Sequence, residues 1–216
     1  DSAHIILDLV HGIYNYEGKN VWTFVRVEND STITGYRQTN GWARTRTVYF
    51  AIKFSKSFKS YGSKNFGAPS LYRGFWRKFD QTRNFPELAG TQLRAHFDFD
   101  TKEGEEIMVK VALSPVSTKG ALANMAAEAQ GWDFDKYRRD GFDAWDGELS
   151  KIEVETLSDG EKINFYTAMY HAMLGTTIYM DTDGSYRGLD MNIHKADGFT
   201  NYTTFSLWDT YRALHP

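Results

Sequence analysis

Hydrophobic residues alternate with polar ones through the first half of the chain and recur every three to four positions through the second. Residues 4–13 (HIILDLVHGI) form a short apolar run rich in Ile, Leu and Val, which predicts a buried strand. Residues 21–28 set Val21, Thr23, Val25 and Val27 against Trp22, Phe24 and Arg26, the period of two of a strand. Asn29-Asp30-Ser31 supplies turn chemistry. Further strands are predicted over Thr32 to Arg37 and Arg46 to Phe54, parted by Asn40-Gly41. Lys56 to Gly67 is polar and bears glycine, so it reads as a loop. Residues 71–79 give another aromatic-rich strand, and Pro86 to Gly90 a turn. Leu93 to Asp98 and Ile107 to Leu113 read as a hairpin around Lys102-Glu103-Gly104. Successive short strands with turns between them predict an antiparallel β-sandwich.

After Pro115 the period changes. Ser117 caps a stretch in which Ala121, Leu122, Met125 and Ala129 keep helical spacing. Asp133 opens a second helix with Phe134, Tyr137, Phe142, Trp145 and Leu149 near one face. Lys151 to Glu155 alternates and fits either a short strand or a linker. Ser158-Asp159-Gly160-Glu161 is a capping box before a helix with Ile163, Tyr166, Tyr170, Met173 and Leu174 inward. Residues 179–202 show no clear period. The order of strands, then helices, predicts an α+β arrangement or separate domains.

The last stretch, Thr203 to Pro216 (TTFSLWDTYRALHP), reads as a helix capped by Thr203 or Thr204 and stopped at Pro216. Leu207, Tyr211 and Leu214 share one face; Phe205, Trp208, Asp209 and Arg212 lie on the next. An indole, a carboxylate and a guanidinium within one turn are the groups a sugar site needs: a flat apolar face, a hydroxyl acceptor and a cation to hold it. A buried Trp beside a helix-stabilising Asp–Arg pair explains the same spacing.

Composition narrows the choice little. The chain has 216 residues, 41% hydrophobic and 25% charged, as in an ordinary globular protein. A net charge of −3 argues against a nucleic-acid binder. No apolar run approaches the ~18 residues of a membrane span. Without cysteine there is no disulfide framework and no thiolate chemistry. Aromatic residues reach 16%, which suits sugar binding and sheet packing alike.

Motifs of known chemistry are few. There is no nucleophile elbow, phosphate-binding glycine loop or zinc motif. The six histidines, His4, His11, His96, His171, His194 and His215, are scattered. Asp181-Thr182-Asp183-Gly184 begins like a calcium loop but lacks the later glycine and glutamate, so it predicts a turn. Tyr186-Arg187-Gly188-Leu189-Asp190 is a polar loop of the kind that lines sites, or a surface loop with an Arg–Asp pair.

Several runs resemble glycoside hydrolase family 92, the calcium-dependent exo-acting α-mannosidases. They are Thr34-Gly35-Tyr36-Arg37 with Gly41-Trp42-Ala43, Val48-Tyr49-Phe50, Ala121-Leu122-Ala123-Asn124 with Glu128, and Trp145 to Ile152. Phe165 to His171, Asp183 to Gly188 and Phe205 to Pro216 continue the series in the family's order. The resemblance implies a fold that is mainly β plus α: an antiparallel β-sandwich, linker helices, and the first helices of an (α/α)6 barrel. Residues 1–115 then belong to the sandwich, 116–155 to the linker and 156–216 to the start of the catalytic barrel.

It also implies activity: release of terminal mannose from α-mannosides, α-1,2-linked and of N-glycan type, with inversion. In such a reaction an acid and a base sit roughly 6.5–9.5 Å apart, leaving room for a water. No catalytic acid or base and no metal ligand is assigned in this chain. They are expected beyond Pro216, as are the ligands of a Ca2+ cofactor, so the 216 residues alone are expected to be inactive. Trp208, Asp209 and Arg212 match the family's motif at the edge of its mannose pocket; Arg187 and Asp190 follow as substrate-binding candidates. Mannose-containing glycans are the implied partners, with neither nucleic acid nor membrane span. The implied place is secreted, periplasmic or on a bacterial cell surface. The alternatives are a non-catalytic carbohydrate-binding or structural sandwich module, and a sandwich with a helical appendage serving protein contacts.

Overall fold

The structure is a computed structural model that describes residues 2–67, 85–155, 158–206, 208 and 210. The strand expected over 71–79 lies outside them. By contact the chain forms two compact units, residues 1–130 with 181–195, and residues 131–180 with 196–216.

The first unit is a β-sandwich carrying one helix and one hairpin. One sheet has the order β1-β7-β5, built from β1 (Ser2–Asp8), β5 (Ser60–Asn65) and β7 (Leu93–Asp100). The other runs β6-β2-β3-β4-β8, from β2 (Asn20–Asn29), β3 (Thr32–Thr39), β4 (Arg46–Phe54), β6 (Glu87–Gly90) and β8 (Val109–Ser114). Every pairing is antiparallel.

Alternation along the strands makes the core. Phe50, Ile52 and Phe54 of β4 face the other sheet, where Leu93, Ala95, Phe97 and Phe99 of β7 are buried against them. Aromatic rings fill the middle: Phe54 and Phe58 stand 5.4 and 5.2 Å from Phe97. Burying each such side chain contributes on the order of 1.5–3 kcal/mol.

Four expectations change here. The loop expected over Lys56 to Gly67 contains β5, and the turn expected over Pro86 to Gly90 is β6. Both strands are short; β5 is polar and glycine-bearing and rests on cross-strand pairing, whereas β6 adds one core residue, Leu88, too little to show an apolar pattern in sequence. The hairpin expected between 93–98 and 107–113 does not form. β7 pairs with β1 and β5, whereas β8 pairs with β4. β1 also ends at Asp8, whose carboxylate accepts from the backbone N–H of Val10 and His11 and turns the chain.

α1 (Thr118–Glu128) begins where β8 ends. Ser117 caps it by accepting from Gly120 N at 2.9 Å. Ala121 and Met125 pack on Ala51 and Ala112, the small residues on the outer face of β4 and β8. Small side chains there let the helix approach the sheet closely.

The second unit holds α2 (Phe134–Leu149) and α3 (Asp159–Met173). Asp133 and Ser158 cap them as the sequence predicts, and Glu161 reaches back to Ser158 Oγ at 3.0 Å. Trp145 meets Tyr170 edge-on at 4.5 Å between the helices. Residues 151–155 form no strand. Ile163, Tyr170, Met173 and Leu174, expected inward, are exposed here. Among the described residues no helix is long and apolar enough to cross a membrane.

Candidate functional site

Residues 179–202, in which the sequence shows no period, contain a hairpin of two three-residue strands, β9 (Ser185–Arg187) and β10 (Ile193–Lys195). Strands this short cannot display a period. The first end is shaped by the Asp181–Gly184 turn that the sequence does predict. Gly184 N donates to Asp181 O at 2.8 Å, and Gly184 takes φ +83°. Asp183 accepts from the N–H and the hydroxyl of Ser185 at 2.9 and 3.0 Å. Those bonds, the backbone one foremost, hold its carboxyl below the usual carboxylate range. The carboxylate that makes this run look like a calcium loop is thus spent on the turn.

Asp181 anchors the hairpin. It is buried, 4% exposed, and accepts from Ser114 Oγ and from Asn124 Nδ2, each at 2.8 Å. Asn124 in turn accepts from the N–H of Thr182 at 2.9 Å and donates to Leu113 O at 2.9 Å. One polar network therefore ties the end of β8, the middle of α1 and the start of the hairpin. Sequence reading missed it; the available signal is Asn124, a polar residue one position before Met125 on the helix's packed side.

Arg187 gives a second anchor. Its Nε donates to Pro115 O at 3.0 Å, Nη1 to Met191 O at 2.9 Å and Nη2 to Val116 O at 3.4 Å. All three guanidinium nitrogens face carbonyls of the fold, so Arg187 clamps the hairpin to the chain that follows β8.

Asp190, the other loop candidate, makes no pair with Arg187. Its oxygens accept from Asn192 N and Asn192 Nδ2, each at 3.0 Å, and His194 Nε2 stands 3.0 Å from both. The imidazole, then Asn192, pull its pKa down to about 2. His194 was not among the sequence candidates, because the pair forms only once the hairpin closes.

In the second unit, residues 177–179 run antiparallel to 201–203. Tyr179 N donates to Asn201 O at 2.9 Å and Thr203 N to Thr177 O at 2.8 Å. Thr203 Oγ1 accepts from Thr177 N at 3.0 Å. That pairing leads the chain into Phe205 and Trp208, the latter 71% exposed. Asp209, Arg212 and most of the predicted final helix lie outside the described residues. The same unit has a cavity of about 430 Å³ lined by Asp146, Glu153, Glu155, Lys162 and Tyr166 among others. Tyr166 Oη closes one side by donating to Ile152 O at 3.0 Å.

Among the described residues, no three histidine, aspartate or glutamate side chains converge on one point.

The family model described as the glycosyl hydrolase family 92 N-terminal domain matches residues 1–114, and that of the family's catalytic domain matches residues 120–216. Among solved structures, the family GH92 α-mannosidase BT3965 from Bacteroides thetaiotaomicron is similar at 45% identity and TM-score 0.86 over 100% of this chain and 28% of its own. The same enzyme in complex with mannoimidazole matches at 45% identity and TM-score 0.85, over 100% and 27%. An inverting GH92 mannosidase from the same organism shares the fold at 22% identity and TM-score 0.75, over 96% and 26%. The chain thus spans little more than a quarter of these enzymes' length. No curated protein matches it.

Proposed function

The chain belongs to glycoside hydrolase family 92, and we propose that the whole protein is an exo-acting α-mannosidase releasing terminal mannose from mannose-containing glycans. The observation that carries this reading is 45% identity, along the full chain, to an enzyme described as an α-mannosidase. That relative's complex with mannoimidazole, a mannose-shaped ligand, supports a mannoside as substrate. We further propose α-1,2-linked substrates and inversion, with one carboxylic acid protonating the leaving oxygen and one carboxylate activating water on the opposite face.

Within this chain the proposed sugar-holding side chains are Trp208, Asp209 and Arg212. A carboxylate accepts hydrogen bonds from two adjacent sugar hydroxyls, and a guanidinium one helical turn on can hold it in place. Arg187, bonded to Pro115 and Val116, and Asp190, bonded to Asn192 and His194, hold the hairpin beside which the sugar is proposed to lie. Calcium is proposed for the whole protein with ligands beyond the described residues, and no step is assigned to it. An exported enzyme, free or at the cell surface, suits a glycan substrate.

The test is hydrolysis of α-1,2-, α-1,3- and α-1,6-linked mannobioses by the whole protein, before and after chelation. The expected result is mannose from the α-1,2 disaccharide foremost, lost with the chelator and restored by calcium. No mannose from any linkage would set the activity aside; activity indifferent to thorough metal removal would set calcium aside.

A further inference from the structure

Asp190 has the chemistry of a sugar ligand, yet its carboxylate is occupied. Asn192 donates to both oxygens and His194 Nε2 lies 3.0 Å from each. An ionised carboxylate only accepts, so the proton of this pair sits on His194 Nε2. In the neutral imidazole that leaves Nδ1 as an acceptor. Two more neighbours hold the ring. Tyr186, opposite His194 in the hairpin register, keeps its ring 5.6 Å away at 33°. Gly188 closes the other side: a Cβ there would stand 2.6 Å from Asp190 Oδ1 and 2.7 Å from His194 Cδ2. The His194 side chain nonetheless stays 44% exposed.

The turn beneath this pair is also costly to make. Met191 takes φ 68°, a region that side-chain-bearing residues seldom adopt. It is held by Met191 N donating to Gly188 O and by Arg187 on Met191 O, both at 2.9 Å. Sparsely populated conformations fixed from several sides gather at ligand clamps.

We propose that His194 contacts substrate, its Nδ1 accepting a hydroxyl hydrogen of the bound glycan, and that Asp190 is the positioning residue that sets its tautomer and orientation. This rests on the mannosidase reading above. Sugars present hydroxyl donors around the ring, and a neutral acceptor takes one without the desolvation that an ionised carboxylate would suffer. No bond forms or breaks at His194, so its contribution is to binding.

The experiment measures kcat and KM on a terminal α-mannoside, with thermal unfolding on the same preparations, for the whole protein and three variants. His194→Phe keeps a ring and removes Nδ1. KM should rise roughly 5- to 10-fold with kcat within about two-fold, the pattern of a hydrogen bond made equally in ground and transition states. His194→Asn sets an amide oxygen near the position of Nδ1 and should recover most of the loss. Asp190→Asn frees the tautomer; it should raise KM by less, and add nothing on top of His194→Phe.

An active enzyme whose KM is unchanged by His194→Phe overturns the proposal and leaves the mannosidase reading standing. So does a KM change that follows a lowered melting temperature and is not recovered by His194→Asn. A wild-type protein that hydrolyses no α-mannoside overturns both. Should His194→Phe fail to fold, Asp190→Asn decides: a wild-type KM in that variant contradicts the proposal.

Discussion

The carboxylate of Asp181 accepts the hydroxyl hydrogen of Ser114 at 2.8 Å, joining residues 67 positions apart at the point where the last sandwich strand ends. Both are buried, and Asn124 completes the shell around the carboxylate. Asp181→Ala leaves two donors in a dry site without their acceptor. Each stranded donor costs roughly 1–3 kcal/mol. A double-mutant cycle of Asp181→Ala with Ser114→Ala, read by denaturant unfolding, should show coupling of about 0.5–3 kcal/mol. Strictly additive effects would mean that the two side chains do not act as one unit.

Gly120, in the first turn of α1, faces the same carboxylate. A Cβ there would collide with Asp181 Oδ2 and stand 2.7 Å from Ser114 Oγ. Glycine to alanine inside a helix ordinarily gains about 1 kcal/mol. Here overpacking should reverse the sign, for a net loss of roughly 1–3 kcal/mol. A Gly120→Ala protein that melts at or above the wild-type temperature would show that the network does not crowd the helix.

Most of the sandwich was legible because β2 and β7 alternate along the sequence and β4 carries an apolar run. Phe50, Ile52 and Phe54 had to share a face for any sheet to cover them. β5 was not, since Ser60, Gly62 and Ser63 carry no apolar pattern and are held by backbone bonds to β7; nor was β6, four residues long with a single core side chain, Leu88, paired to β2. Helix starts were legible from local chemistry: Ser117, Asp133 and Ser158 each cap as their sequences suggest. The hairpin at 185–195 was not, because its bonds come from Arg187 and Asp181 reaching residues about 60–70 positions earlier. At the candidate site the sequence singled out Arg187 and Asp190 by type. Which groups they bind depends on partners, Pro115 and His194, that spacing alone cannot reveal.

Asp190 should titrate near pH 2, chiefly because His194 donates to it. The sign follows. A carboxylate depressed below its unfolded value near 3.9 adds stability that is present above about pH 4. That contribution is lost as the pH falls through about 2. Carboxyl carbon shifts recorded by NMR between pH 6 and pH 1.5 check it. In His194→Phe the Asp190 midpoint should move up toward the ordinary range. An unchanged midpoint would assign the depression to Asn192 alone.

Asp209→Asn in the whole protein keeps the side chain's volume, removes its charge and turns one acceptor into a donor. Losing a charge-assisted hydrogen bond costs about 1.5–3 kcal/mol, so kcat/KM should fall roughly 10- to 150-fold. Melting temperature should change little. A variant that melts early but hydrolyses mannoside normally would make Asp209 a scaffold residue.

Mannose release itself is the most direct measurement. The whole protein is mixed with the methyl α-glycoside of an α-1,2-linked mannobiose, whose blocked reducing end adds no free anomer, and anomeric proton signals are followed by NMR from the first minutes, before mutarotation equilibrates the released mannose. The account predicts free mannose appearing first as the β anomer, the outcome of single displacement across the ring. First appearance of the α anomer would contradict inversion, and the absence of any free mannose would contradict the proposed activity.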